Sequence, residues 1–190
     1  MIVRKACIAM CFCLTLSSSL LAQTSQKRDN NKSCGEFVKI FYTWYVAIAL
    51  KDNPVPASDF ALKERPYAFS PELLRQLKEE SEVQKRAGSD VVGLDADPFF
   101  SADGHGEGFV VEKITTRDSR CWVEIHSVWD GKEDATPDVT PELALKGDRW
   151  IFVNFYYPTP SRPKALNLLG ELKALRESWK ASGISKDEKR

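Results

Sequence analysis

Apolar side chains recur every three or four residues in several stretches of the chain, and this spacing places them on one face of an α-helix. The first stretch begins at Ser33, where Ser33 and Glu36 fit a capping box that satisfies backbone N–H groups at a helix start. Cys34 shares the apolar face, so its thiol is predicted to point into the core. The other apolar positions of this face are Phe37, Ile40, Phe41, Trp44, Tyr45 and Ile48.

Two further helices are predicted, one before and one after the segment of predicted strands. In the second helix Ser70 is the N-cap, Pro71 occupies the first turn, where no N–H is needed, and Gly88 ends the helix. Residues 52–65 contain two prolines and are predicted to be a connection. The third helix is predicted over residues 164–180, with Ala165, Leu168, Leu172, Leu175 and Trp179 along one side.

Between these helices the apolar period changes to two, which is typical of β-strands. Strands are predicted over residues 108–117, 120–129, 142–146 and 149–157. In the second of them Cys121, Val123 and Ile125 face one way, and Trp122, Glu124 and His126 the other. Gly147 and Asp148 form a tight turn between two alternating runs, which indicates a hairpin.

Helices followed by a run of antiparallel strands and a last helix predict an α+β domain with the helices packed on one face of a sheet. We expect a single domain over residues 33–180. Residues 23–32 are polar and are predicted to be a flexible arm, and residues 181–190 are predicted to be a polar tail.

The N-terminal residues have the layout of a secretory signal peptide. Arg4 and Lys5 precede an apolar run, and small residues follow up to Ala22. The run is shorter than the roughly 20 residues that a bilayer-spanning helix needs. We therefore predict a signal peptide over residues 1–22, a periplasmic or secreted protein, and no membrane span after processing.

Charge and cysteine content refine this picture. The chain has 27 basic and 27 acidic residues, and removal of residues 1–22 takes away Arg4 and Lys5 and no acidic residue. The slightly acidic remainder argues against a nucleic-acid partner. The same removal takes three of the five cysteines and leaves Cys34 and Cys121 in an oxidising compartment. We predict a disulfide between them, with two buried thiols as the alternative.

The stretch LDADPFFSADGHGEG, residues 94–108, is the densest cluster of candidate functional groups. The structural interpretation is a turn in which Asp95 and Asp97 bond nearby backbone N–H groups and Phe99 and Phe100 plug the edge of the core. A calcium loop of the EF-hand type is not predicted, because Phe99 occupies a ligand position. A zinc site is not predicted either, because the chain has only two histidines for this metal.

Several blocks of the chain resemble a family of small exported bacterial proteins, the domain of unknown function 3828 family. The similarity runs over residues 37–175, in the blocks FVKIFYTWY, LDADPFFSAD and DRWIFVNFYYP with the leucine-bearing helix after it. It implies a cystatin-like or nuclear transport factor 2-like fold, with helices on the concave face of a curved antiparallel sheet. The family has Gln-Asp at Ala102-Asp103, so Asp103 alone carries over. The resemblance implies no reaction.

Folds of this type can hold a pocket, and the chain is rich in tyrosine and tryptophan, which offer an apolar body and a polar group to a ligand. We expect an exported, non-enzymatic binding or accessory module of the bacterial envelope, with a small molecule or a peptide as partner and no cofactor. One alternative is a pocket enzyme in which Asp97 is a general base beside Tyr42 or Tyr45. Another is a purely structural envelope protein. The candidate binding residues are Tyr42, Tyr45, Asp95, Asp97 and Asp103.

Overall fold

The computed structural model describes residues 13–87, 93–100, 106–159 and 162–181, with side chains described over 29–87, 93–100, 106–158 and 166–181. Over this part of the chain the helices are α1 (Cys13–Ala49), α2 (Ala57–Glu64), a short 3-10 helix (Pro66–Ala68), α3 (Pro71–Ala87) and α4 (Leu168–Ala181). Among the described helices none combines the length and hydrophobicity that crossing a bilayer requires.

The described strands form one antiparallel sheet. They are β1 (Gly108–Arg117), β2 (Arg120–Trp129), β3 (Lys132–Glu133), β4 (Thr140–Lys146), β5 (Arg149–Thr159) and β6 (Arg162–Asn167). Their order is β1-β2-β4-β5-β6, and the two-residue β3 pairs with β2 beside β4. Helices pack against this sheet, so the predicted α+β class is confirmed. The arrangement is consistent with a cystatin-like or nuclear transport factor 2-like fold.

Helix α1 begins far upstream of the predicted capping box. Ser33 lies inside the helix, where its hydroxyl donates to the carbonyl oxygen of Asn30 at 3.2 Å and accepts from the Trp150 indole at 3.0 Å. Residues 23–32, predicted as a flexible arm, belong to helix α1. They contain no glycine or proline, and half of them are good helix formers. Residues 1–12 lie outside the described residues, so the signal peptide stays a prediction.

Two further elements differ from the predicted ones. Helix α2 lies within the stretch predicted as a connection, and it is too short to show a clear apolar period. Contacts with α3 stabilise this short helix. Asp59 accepts a hydrogen bond from Ser81 at 2.6 Å and forms an ion pair with Lys85 at 3.1 Å. Helix α4 begins at Leu168 because residues 162–167 pair with β5, and the Asn167 side chain caps the helix by accepting from the Gly170 N–H.

The start of α3 follows the sequence prediction, since the Leu73 N–H donates to the Ser70 hydroxyl at 3.2 Å. The predicted end at Gly88 lies outside the described residues. The four predicted strands are all present, and the Gly147-Asp148 turn joins β4 to β5.

The core is aromatic and lies between α1 and the sheet. The ring of Phe41 on α1 packs edge-on against Phe152 of β5, with centroids 4.7 Å apart, and also contacts Phe69 and Phe99. A disulfide joins Cys34 of α1 to Cys121 of β2, 87 positions apart in sequence, and both cysteines are fully buried. The predicted bridge is confirmed, and it fixes α1 on the sheet.

Candidate functional site

Residues 93–100, called here the 93–100 loop, follow α3 in the chain and contact α1 and β5. The structure brings three predicted site residues together in this region: Tyr42 and Tyr45 from α1, and Asp97 from the loop. Asp95 lies on the same loop, but it is exposed. Asp103, the fifth candidate, and His105 lie outside the described residues.

Three tyrosine hydroxyls hold the middle of the loop, and each donates to a different acceptor in residues 97–99. Tyr42 and Tyr45 are fully buried, and Tyr157 is partly buried. The bonds are Tyr45 to Asp97 Oδ2 at 2.6 Å, Tyr42 to the Phe99 carbonyl oxygen at 2.8 Å, and Tyr157 to the Pro98 carbonyl oxygen at 2.8 Å. We call these three residues the tyrosine clamp. Because two tyrosines come from α1 and one from β5, the clamp joins the loop to both layers of the fold.

Asp97 is the centre of this turn. Its Oδ1 accepts from the Phe99 N–H at 2.8 Å, and its own carbonyl oxygen accepts from the Phe100 N–H at 3.2 Å. The side chains of Phe99 and Phe100 are fully buried. The predicted structural role is therefore confirmed for Asp97 and for the two phenylalanines that plug the core.

Electrostatics keeps the clamp protonated. Burial raises the pKa of Tyr42, Tyr45 and Tyr157 well above that of an exposed tyrosine. The Asp97 carboxylate adds to the pKa shift of each, since a second negative charge beside it is unfavourable. For Tyr157 the Glu171 carboxylate raises the pKa further. The three phenols are therefore hydrogen-bond donors.

The other end of the loop is attached to α3 through the backbone of Leu94. Its N–H donates to Glu80 Oε1 at 3.0 Å, and its carbonyl oxygen accepts from the Gln84 amide at 3.1 Å. Burial raises the pKa of the Glu80 carboxyl, although the hydrogen bond from Leu94 acts in the opposite direction. Asp95 makes no side-chain hydrogen bond to a described residue, so the turn-holding role predicted for it is not observed.

A cavity of about 730 Å³ opens on one side of the loop. Its wall is formed by the loop, by the segment before β4, by the ends of β5 and β6, and by one side of α4. The apolar part of this wall comprises Leu94, Ala96, Pro98, Phe100, Pro137, Tyr157, Pro158, Leu166, Ala174 and Leu175. The volume lies in the range of small-molecule sites, and the apolar lining is typical of them.

The charged groups of this cavity are all acidic in the described part of its wall. They are Asp95 and Asp97 from the loop, Asp138 before β4, and Glu171 in the first turn of α4. Asp138 Oδ2 also accepts from the Ser127 N–H at 2.6 Å, which fixes this carboxylate. The described wall therefore combines an apolar surface with four carboxyl groups.

A second cavity, of about 430 Å³, lies on the opposite side of the loop, against α2 and α3. Leu94, Asp95 and Asp97 line both cavities, so the loop is a partition between them. Lys85 lies in the wall of the second cavity, where it is paired with Asp59. Among the described lining residues, the second cavity therefore has a basic side chain, and the charged ones of the larger cavity are acidic.

Sequence reasoning missed three residues of this site: Asp138, Tyr157 and Glu171. They come from three separate elements, and no local spacing connects them with the 94–108 stretch. The chain matches no protein-family model, and no curated protein and no solved structure is significantly similar to it.

Proposed function

We propose that this protein is an exported binding or accessory module of the bacterial envelope, and that the 730 Å³ cavity beside the 93–100 loop is its ligand site. The proposal includes membership of the domain of unknown function 3828 family. The observation that carries it is the cavity itself, because a large apolar concavity with a few convergent polar groups is the usual form of a ligand site.

The ligand is a cation with an apolar body, such as a hydrophobic amine or a basic peptide side chain. The support for this is that the described wall carries the carboxylates of Asp95, Asp138 and Glu171 beside its apolar surface. Carboxylates around a cavity with low-dielectric walls attract a positive charge and repel a negative one. The apolar wall would bury the rest of the ligand.

Export is supported by two features of the chain. The first 22 residues have the charged and apolar regions of a signal peptide. The disulfide between Cys34 and Cys121 suits an oxidising compartment. N-terminal sequencing of the protein from the native envelope or medium should begin near Gln23, and intact Met1 in cytosolic material would contradict export.

The enzyme alternative has less support than the binding module. Asp97 and Tyr45 are within hydrogen-bond distance, but both carboxylate oxygens of Asp97 already accept a hydrogen bond. These bonds stabilise the charged carboxylate and hold the loop, whereas a general base needs an oxygen aimed at a substrate. The pair therefore has the geometry of a structural contact.

Two fluorescent probes of opposite charge test the ligand class. Thioflavin T is a hydrophobic cation, and anilinonaphthalene sulfonate is a hydrophobic anion of similar size. We expect saturable binding of thioflavin T that weakens with salt, and much weaker binding of the anion. Asp95→Asn and Glu171→Gln should each weaken thioflavin T binding by about two- to fivefold, the usual range for a partly exposed charge pair.

A variant that fills the cavity tests whether thioflavin T binds there. Ala174 is exposed and lines the cavity from α4, so Ala174→Trp should abolish thioflavin T binding. Ala47→Trp is the matched control, because Ala47 is an exposed helical alanine on α1 outside the cavity wall. Equal binding of the two probes, or thioflavin T binding that survives Ala174→Trp, would overturn the proposal.

A further inference from the structure

A polar cluster lies on the sheet, away from the cavity. It consists of Glu112 of β1, His126 of β2 and Glu133 of β3, and one ligand atom from each lies within 4.8 Å of the others. None of the three lines the cavities described above. A register shift between Val111 and Ile114 surrounds Glu112, and such a bulge redirects the side chains within it.

The histidine is buried and its orientation is fixed. His126 is 4% exposed, and its Nδ1 lies 2.8 Å from the carbonyl oxygen of Asp134. A carbonyl oxygen can only accept, so Nδ1 carries the proton in this bond. The second nitrogen, Nε2, is buried and has no hydrogen-bond partner in the described part of the chain.

A carboxylate lies close to Nε2. Glu112 Oε2 lies 3.5 Å from Nε2, and Glu133 Oε1 lies 3.8 Å from Nδ1 of the same ring. Two ligands that bind one zinc ion at about 2.1 Å with tetrahedral angles are about 3.4 Å apart. The separation of Nε2 and Oε2 therefore fits two ligands of one ion.

From this geometry we infer that Glu112, His126 and Glu133 form a site for a divalent transition-metal ion of the Zn²⁺ type. His126 Nε2 and Glu112 Oε2 are ligands in the positions observed, and solvent completes the coordination. Glu133 Oε1 lies on the Nδ1 side of the ring, and its partly exposed side chain supplies the third ligand by rotating toward Nε2. The bond from Nδ1 to Asp134 is the outer contact that orients a metal-binding imidazole.

The ligand set selects the class of metal. Calcium and magnesium prefer six or more oxygen ligands, and an imidazole nitrogen is a poor ligand for them. One imidazole and two carboxylates suit zinc and its neighbours in the first transition row. The ion would join three strands and would stabilise β3, which has only two residues.

Zinc titration of the purified, chelator-treated protein tests the inference. With a competing chromophoric chelator as indicator, the wild-type chain should bind one equivalent of Zn²⁺. Co²⁺ in its place should give the intense visible absorption of four-coordinate cobalt. Glu112→Gln and Glu133→Gln should each weaken Zn²⁺ binding by at least about tenfold, because even an outer-shell contact contributes that much to metal affinity.

Control variants separate this site from other zinc contacts. Glu124→Gln removes a carboxylate of β2 that pairs with Lys113 and should leave Zn²⁺ affinity unchanged. His105→Ala removes the second histidine of the chain and should also leave it unchanged. The glutamates are partly exposed, so their variants should fold normally even where His126→Gln does not. A wild-type chain without Zn²⁺ binding, or binding lost in His105→Ala and kept in both glutamate variants, would overturn the inference.

Discussion

The 93–100 loop and the Glu112–His126–Glu133 cluster are both groups of polar side chains in the folded domain, and they differ in how their polar atoms are paired. In the loop, both oxygens of Asp97 and the carbonyl oxygens of Pro98 and Phe99 have a donor. In the cluster, a buried imidazole nitrogen has no donor or acceptor among the described residues, and a carboxylate lies beside it.

This difference distinguishes polar groups that stabilise the fold from polar groups that can bind a ligand. A buried polar group that is fully bonded within the protein is already compensated for its desolvation, so its removal lowers stability. A buried polar group without a partner carries that cost, and a ligand can relieve it. The Asp97 turn, within the most conspicuous sequence motif, is therefore structural, and the inconspicuous cluster is the better candidate for a metal ion.

The disulfide should have the largest effect on both regions. It joins α1, which carries Tyr42 and Tyr45, to β2, which carries His126. The double variant Cys34→Ala with Cys121→Ala should lower the free energy of unfolding by about 2–4 kcal/mol, measured in urea. The reduced wild-type protein should show the same loss. Equal stability of the oxidised and reduced proteins would contradict this prediction.

Asp97 should contribute more to stability than Asp95. Asp97→Ala removes a charge-assisted bond from the Phe99 N–H and leaves the buried Tyr45 hydroxyl without its acceptor. The free energy of unfolding should fall by about 2–4 kcal/mol, and by less in Asp97→Asn, which keeps the shape and one acceptor.

Asp95→Ala is the matched control for this variant. Asp95 is exposed two positions earlier in the same loop, and its replacement should change stability by no more than about 0.5 kcal/mol. Similar losses for the two alanine variants in urea unfolding would remove the distinction between the fixed and the exposed aspartate.

The decrease of the unfolding free energy at alkaline pH should reveal the contribution of the tyrosine clamp. Burial raises the pKa of Tyr42, Tyr45 and Tyr157 in the folded state. Their stabilisation is fully present below about pH 10, the pKa of tyrosine in the unfolded chain, and is lost as the pH rises through the folded-state pKa values. Each tyrosine adds up to about 1.4 kcal/mol per pH unit to the decline.

Tyr157→Phe tests this assignment, because it removes one phenol and keeps the ring. Its urea unfolding free energy, followed from pH 9 to pH 12, should decline less steeply than that of the wild-type chain. A wild-type slope in this variant would mean that Tyr157 ionises equally in the folded and unfolded states.

The sequence predicted the elements whose signal is local. The period-two pattern gave β2 with Cys121, Val123 and Ile125 buried on one face, and the inward-facing Cys34 gave the disulfide. Helix α2 was missed because its eight residues show little periodicity, and β6 because a paired edge segment looked like the start of a helix.

The sites were harder to predict, since they depend on contacts between distant residues. The sequence analysis placed Asp97 beside Tyr42 or Tyr45, and the structure brings these three residues together. Tyr157, which lies 60 positions from Asp97 and holds Pro98, was missed. Glu112 and His126 become neighbours only through the pairing of β1 with β2 and its register shift. No spacing along the chain contains that information.

The disulfide also determines how the domain responds to a pulling force on its two ends. The tension enters α1, crosses the sulfur bridge from Cys34 to Cys121, and continues along β2. The positions between the two cysteines, which include α2, α3, the 93–100 loop and β1, stay out of the loaded path. The oxidised chain should therefore extend by roughly 300 Å less than the reduced chain when it is unfolded mechanically.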